Sequence, residues 1–352
     1  MKLKVLTVFG GVSSEHDVSL VSARAVINNI PRDKYEVYML GITKDGLSYL
    51  YSGDPDNIPG GKWLEDHSRL KRCIISPDRG HHGILIVDSG EVIRIDVVFP
   101  VLHGKNGEDG TMQGLLEIAG IPYVGCKTAA SAVCMDKALT NAMCDYHNIP
   151  QAKWKALTKR EFDADPDKAV ESVISCLSFP VFVKPANAGS SVGIKKATDA
   201  ASLAEACGFA FDYDTKIVLE EGVVGAEVEC AVLGNGEPVA SVLGEIVPCN
   251  DFYDYEAKYI DDNTDLYVPA RLSAEKTEEV RREAVRAYRA LGWTGMARID
   301  FFVRESDGRV MLNEPNTIPG FTSISMYPKL FEASGVSFAE LTDRLITLAL
   351  EN

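Results

Sequence analysis

Along the first third of the chain, short apolar runs alternate with amphipathic stretches of helical period. Lys4–Phe9 is an apolar run that ends at Gly10 and Gly11, and an amphipathic segment follows from Asp17 to Asn29. Tyr35–Ile42 and Ile84–Val87 repeat the strand pattern, and Val92–Ile95 predicts a hairpin partner for Ile84–Val87 across Ser89 and Gly90. Asp96–Val101 is apolar and β-branched and opens into a glycine-rich stretch. A helix through Leu115–Ala119 and a short strand at Pro122–Val124 come next. Strands separated by helical patterns predict a parallel sheet with helices on its faces.

After Ser131 the texture changes. A helical segment, MDKALTNAMCDYHN, ends before Pro150. Strand patterns then follow at Ala152–Leu157, Pro180–Lys184, Ser191–Lys195, Ile217–Glu220 and Val228–Leu233, around helices near Pro166–Leu177 and Ser202–Phe209. From about Gly236 a third segment holds a strand, a weakly structured stretch at Pro248–Tyr267 and a charged helix at Ala274–Leu291. Two antiparallel strands at Met296–Arg304 and Arg309–Asn313 precede a terminal helix at Phe338–Leu350. The expectation is an α/β domain over residues 1–130 with an open parallel sheet, followed by two α+β lobes over 131–235 and 236–352. A structureless stretch as long as 248–267 is usually a functional cover or disordered.

Composition narrows the function. With 46% hydrophobic and 25% charged residues among 352, the chain has the make-up of an ordinary globular protein. No window approaches the ~18 uninterrupted apolar residues of a membrane span. The eight cysteines are scattered without a CxxC pair, so free thiols in a reducing cytoplasm are expected rather than disulfides or zinc. A formal net charge of −15 disfavours nucleic acid and anionic membranes as partners. A polyanionic ligand would need positive charge concentrated locally.

Several segments carry candidate chemistry. Arg298 and Asp300 lie two apart on one predicted strand and so share a face, as do Glu314 and Asn316 on the next. The turn Glu305–Arg309 can bring the pairs together, giving two carboxylates and an amide oxygen of the kind Mg²⁺ prefers, beside an arginine able to hold developing negative charge. Arg298 and Asp300 alone would read as a surface salt bridge; it is the NEPNTIPG turn that changes this. In Val181–Gly193 a strand ends in Lys184 before a loop of small residues, which suits phosphate. The lysine precedes the glycines, so this is not a P-loop, and alone it is equally an ordinary hairpin. Ile217–Glu229, an apolar strand running into adjacent acids, suits an adenine and ribose pocket but is otherwise a plain β-hairpin. His103–Gly114, with His103, Glu108 and Asp109, sits where sites form in open α/β sheets. Gly10–Ser19 occupies the matching turn after the first strand, and without GxGxxG it argues against NAD.

Taken together, HGKNGEDGTMQG and GMARIDFF…LNEPNTIPGFTSIS resemble the paired signature of the D-alanine–D-alanine ligases of the ATP-grasp superfamily. GGVSSEHDVSL, FVKPANAGSSVG, FYDYEAKY and FTSISMYPKL resemble the same family, in the same order, over nearly the whole chain. The resemblance implies the ATP-grasp fold, with two α+β lobes clamping ATP. It implies that Lys137, Lys184 and the backbone at Ser191 hold phosphates, with Lys258 meeting the phosphate in transfer. Glu220, Glu221 and Val223 would read adenine and Glu227 ribose. Asp300, Glu314 and Asn316 would bind two Mg²⁺ or Mn²⁺ ions. Glu15 would receive the ammonium of the first D-alanine, joined by Ser190 and Tyr259 and flanked by Val18. Arg298 and the Gly320 N–H would form the oxyanion site, and Ser325 and His103 would help place the second amino acid.

The implied reaction joins two D-alanines for peptidoglycan by way of an acyl phosphate that must be kept from water. A homodimer in the cytoplasm is expected with it. Pro315, where the family usually has a small aliphatic residue, is a departure that an extended neighbour tolerates. FPVLHGKNGEDGT also resembles ligases that make D-alanyl-D-serine or D-alanyl-D-lactate in glycopeptide resistance. Those tend to carry arginine where this chain has Met326, and an apolar Met326 is expected to favour D-alanine. A nucleotide-binding protein without catalysis would need a broken metal or oxyanion set, and here Arg298, Asp300, Glu314 and Asn316 are all present.

Overall fold

The computed structural model describes residues 2–189, 192–247, 265–322 and 324–351. Three sheets organise them. The first runs β6-β5-β4-β3-β2-β1-β7, with β1 Leu3–Gly10, β2 Tyr35–Ile42, β3 Ser48–Tyr51, β4 Leu70–Ile75, β5 Gly83–Ile86, β6 Val92–Arg94 and β7 Val97–Val101. Only β2, β1 and β7 are parallel; β3 to β6 extend the sheet antiparallel, and β5 with β6 is the expected hairpin. The parallel sheet expected of this region is therefore its three-stranded core.

Alternation in β1 sets both faces. Val5 and Phe9 meet helix α1 (His16–Asn29) and the C-terminal helix, whereas Leu6 and Val8 meet helix α2 (Thr111–Ala119). The indole of Trp63 fills the space where a side chain at Gly41 would stand, which fixes that glycine in β2.

After helices α3 (Thr128–Met135) and α4 (Lys137–Tyr146) comes a four-stranded antiparallel sheet. Its order is β10-β9-β11-β8, with β8 Trp154–Thr158, β9 Val181–Pro185, β10 Lys195–Ala197 and β11 Lys216–Glu221. Helices α5 (Lys159–Ala164), α6 (Pro166–Ile174) and α7 (Ala200–Ala210) accompany it. Period-two patterning again decides the faces. Val181, Val183, Ile217 and Leu219 are buried under α6 and α7, and burial of such side chains is worth about 1.5–3 kcal/mol each. The intervening Lys184, Val218 and Glu220 therefore face the other way.

The third sheet is β14-β13-β12-β15-β16: β12 Gly225–Leu233, β13 Val239–Val247, β14 Asp265–Tyr267, β15 Met296–Arg304 and β16 Val310–Asn316. Val228–Leu233, read from the sequence with the middle lobe, pairs instead with β13 and β15. Asp265–Tyr267 is a strand against β13 rather than part of a cover, and residues 248–264 lie outside the described set. Helix α8 (Ala274–Ala290) covers the face that carries Val228, Cys230, Ala297, Ile299 and Phe301. Helix α9 (Met326–Ala333) packs on the opposite face, and α10 (Phe338–Leu350) returns to the first sheet, where Lys34 pairs with Asp343 at 2.6 Å.

No helix among the described residues is long and apolar enough to cross a membrane. Of the cysteines, six described ones are buried and Cys176 is exposed, all as free thiols; Cys249 lies outside the described residues.

Candidate active site

The second and third sheets, joined by the link Gly222–Val224, border a cavity of about 430 Å³. Lys137, Lys184, Glu220, Glu221, Val223 and Glu227 line it, with Glu314 at one end. Lys184 Nζ lies 2.6 Å from Glu220 Oε2, and Asn141 Nδ2 donates to the other oxygen at 3.0 Å. Burial alone would push Lys184 down, but Glu220 beside it reverses this and its pKa is raised, so the ammonium is firmly charged. The carboxylate of Glu220 is thus committed to holding Lys184. Lys137, at the start of α4, donates to the Ala188 carbonyl at 2.8 Å and lies 3.3 Å from Glu314. Its helix is fixed by Asp136, which caps the N-terminus and pairs with Lys216 on β11.

Strand register builds the acidic part. Asp300 is paired with Glu229 of β12 on one side and Glu314 of β16 on the other; Arg298 is paired with Ala231 and Asn316. Paired residues share a face, so Glu229, Asp300 and Glu314 form a rank across three strands, with Arg298 and Asn316 in the next. Arg298 forks onto Asp300 at 2.8 and 2.7 Å, and its Nε is 3.2 Å from Glu229. Asn316 Nδ2 donates to Asp300 at 3.3 Å. Burial would lower the Arg298 pKa, yet Asp300 and Glu229 drive it well above the usual value. Pro315, paired with Ile299, belongs to an edge strand, where proline is tolerated.

The donor set suits a hard divalent cation: the carboxylates of Asp300 and Glu314 are register partners, and the Asn316 amide stands in the next rank. Among the described residues no group of three His, Cys, Asp or Glu side chains could enclose a metal alone. A cation here would take remaining ligands from phosphate and water, as Mg²⁺ usually does.

A second cluster lies where the first sheet meets the loop after β16. The carboxylate of Glu15, at the start of α1, reaches so near Gly104 and Gly189 that a Cβ would fall 2.5 and 2.7 Å from it. Val18, one turn on, is half-buried. His103 is buried; its Nδ1 contacts the Ile318 carbonyl and its Nε2 Ser22 Oγ, both at 3.1 Å, and Ser22 Oγ accepts from Phe321 N at 3.3 Å. Burial lowers the His103 pKa, so the neutral ring is the form that completes this chain. Glu108 accepts from Gly104 N at 2.6 Å and Ile318 N at 3.2 Å, and burial together with Glu15 pushes its carboxyl up to about 8. Asp109 instead ties off its own loop by accepting from Asn106 N and Thr111 N. Ser325 Oγ lies against Gly320 and accepts from Thr322 N at 3.0 Å.

One expectation changes, and others fall on residues not described. Met326 does not form a pocket wall: it is 4% exposed, and its terminal methyl covers Gly244 of β13 where no side chain would fit. Its bulk joins α9 to the third sheet. Ser190, Ser191, Lys258 and Tyr259 lie outside the described residues. Sequence reasoning gave no role to Glu229, Ser22 or Asn141. For Glu229 the local pattern carried no signal, because its strand meets that of Asp300 only through long-range pairing.

Two family models match in order, the D-ala D-ala ligase N-terminus over residues 4–126 and the D-ala D-ala ligase C-terminus over 143–347. The chain belongs to the D-alanine–D-alanine ligase family. It is 51% identical to the D-alanine–D-alanine ligase of Caldicellulosiruptor bescii over 99% of this chain and 96% of that protein. Identity to the ligase of Acetivibrio thermocellus is 50% over the same shares. Among solved structures, the VanG D-Ala:D-Ser ligase of Enterococcus faecalis superposes with a TM-score of 0.92 at 41% identity, covering 99% of this chain and all of that one. The D-alanine–D-alanine ligase of Coxiella burnetii gives 0.86 at 34%, covering 99% and 94%. The ligase fold thus spans the whole chain; Lys137, Lys184 and Glu314 line its cavity, and Asp300 and Arg298 adjoin Glu314 on the neighbouring strand.

Proposed function

We propose that this protein joins two D-alanine molecules into D-alanyl-D-alanine, with ATP converted to ADP and phosphate. The observation that carries the reading is the rank of Asp300 and Glu314 beside Arg298, at the end of a cavity bearing two lysines. ATP would lie with its base near Glu221 and Val223, its ribose at Glu227 and its phosphates between Lys137 and Lys184. Asp300, Glu314 and Asn316 would hold one or two Mg²⁺ or Mn²⁺ ions. Such ions neutralise phosphate charge and orient the γ-phosphoryl group.

The first D-alanine would place its ammonium at Glu15 and its carboxylate toward the phosphates. Transfer breaks the bond between the γ-phosphorus and the ADP oxygen and forms one to the carboxylate, giving an acyl phosphate. The neutral amine of the second D-alanine then attacks the carbonyl carbon. Phosphate leaves with the C–O bond electrons and takes up the proton that the amine loses. Arg298 and the Gly320 N–H would hold the oxyanion, with Ser325 behind Gly320. Neutral His103 and Glu108 would fix the loop that presents Gly320. Ser190, Lys258 and Tyr259 are proposed to complete the enclosure.

D-serine as second substrate is the alternative, favoured by the likeness to VanG, whose name states a D-Ala:D-Ser activity. Phosphate release and product identity with D-alanine alone, and with D-alanine plus D-serine or D-lactate, test both. D-alanine alone should support full turnover. Turnover that requires D-serine would transfer the assignment, and no ATP-dependent product with any pair would end it. The reading places the enzyme in the cytoplasm, where ATP is supplied and free thiols persist. A homodimer is the assembly proposed for it, tested by sedimentation velocity.

A further inference from the structure

Glu229 is a buried carboxylate in the middle of the third sheet, 4% exposed. Its register partner is Asp300, and its Oε2 lies 3.2 Å from Arg298 Nε, the same nitrogen that donates to Asp300 Oδ1 at 2.8 Å. One guanidinium is therefore shared by two neighbouring acids. Both oxygens of Asp300 are engaged by Arg298, so turning them to a divalent cation competes with that two-point bond. An arginine released into a buried rank without another acid would follow Asp300 and oppose the cation. Burying a charge without a partner is strongly unfavourable.

We infer that Glu229 is a positioning residue that takes over Arg298 when Asp300 turns to the metal. The inference rests on the metal role proposed for Asp300. It divides the rank into an acid for the cation, Asp300, and an acid for the arginine, Glu229. In the metal-bound state Arg298 keeps its Nε on Glu229 and presents its terminal nitrogens to the reaction. Glu229→Gln preserves shape and removes the charge. Arg298 then clings to Asp300, so the variant should bind divalent cations more weakly and hold the arginine less well at the oxyanion.

The test is Mn²⁺ binding in the presence of ADP, followed by electron paramagnetic resonance, for wild type, Glu229→Gln, Glu229→Asp, Arg298→Ala and the double variant Glu229→Gln/Arg298→Ala. Half-saturation should need about tenfold more Mn²⁺ in Glu229→Gln, the weight of one hydrogen bond to a charged group. Glu229→Asp, with the charge kept, should stay closer to wild type than to Glu229→Gln. With Arg298 already gone, Glu229→Gln should add no further loss, because its effect runs through the arginine. Equal Mn²⁺ affinity in Glu229→Gln and wild type, or the same loss in both backgrounds, would overturn the inference. Should Glu229→Gln not fold, Glu229→Asp as weak as an Asp300→Asn control would overturn it as well. Absence of Mn²⁺ binding in the wild type would refute the metal reading itself, a distinct result.

Discussion

Arg298→Ala is the sharpest test of how the acidic rank works. The guanidinium sits 2.7–2.8 Å from both oxygens of Asp300 and 3.2 Å from Glu229, with only 19% of its side chain exposed. Its removal strands acids that cannot leave the sheet. Breaking a buried pair costs about 3–5 kcal/mol; the partial exposure here argues for the lower end, about 3 kcal/mol. In a chain of this size that is a fall of about 4 °C in the unfolding midpoint. Turnover should fall by about 10²–10³, the usual consequence of losing an oxyanion donor. Because Arg298 does not line the nucleotide cavity, the KM for ATP should change little. Mg²⁺ with ADP should raise the variant's midpoint more than the wild type's, since the cation then neutralises acids the arginine no longer serves. Calorimetry with and without Mg²⁺–ADP, beside coupled phosphate release, reads all of this. Near-normal turnover would remove Arg298 from the mechanism. An unchanged midpoint would show that the rank does not depend on it.

Three further outcomes follow from particular contacts. Gly104→Ala forces an alanine to a φ of +70° and drives its Cβ into Glu15, so the concentration of D-alanine needed for half-maximal phosphate release should rise; an unchanged value would place Glu15 outside the first amino-acid site. Lys184→Met removes the ammonium facing the nucleotide cavity and should raise the KM for ATP roughly 10- to 100-fold, the range of a charge-assisted contact, while an unchanged KM would exclude Lys184 from phosphate binding. Glu108 is held at about 8 in the fold against an ordinary 4.5, so the folded chain keeps a proton that the unfolded one releases; the stability this brings is complete below about pH 4.5 and is lost as pH rises through 8. Glu108→Gln should flatten that fall in the unfolding midpoint between about pH 5 and 8, and parallel curves would refute the assignment.

What could be read in advance followed the reach of each signal. Period-two alternation in Val181–Lys184, Ile217–Glu220 and Met296–Phe302 gives both a strand and its faces, because one face of each is apolar and buried. Ser48–Tyr51 and Leu70–Ile75 escaped: one is four residues long, and the other carries Lys71 and Arg72. Helix α9 was hidden by Pro328, which the first turn of a helix accepts because its N–H would be unpaired there. The assignment of β12 to the third sheet depends on pairing with Ala297–Arg304, some seventy residues on, which no local pattern contains. In the site, Asp300 and Glu314 were legible because a hairpin links them. Glu229 and Ser22 were not, since a glutamate alternating along a strand, or a serine in a helix, normally faces water.

That failure has a physical cause that also bears on how the site works. In a chain of net charge −15, acidic residues are the expected surface, and nothing in the sequence distinguishes an acid facing solvent from one enclosed beside an arginine. Folding makes the distinction by register. It aligns Glu229, Asp300 and Glu314 in one rank and supplies Arg298 and Lys137 as the bases within 4 Å of it. Among the described residues three acids thus meet two bases, an excess of negative charge that would be costly beside a nucleotide unless a cation arrives with it. The same excess repels a bare polyanion and welcomes one that carries its metal. If the rank holds the metal as proposed, it would favour the metal–nucleotide complex over the free nucleotide.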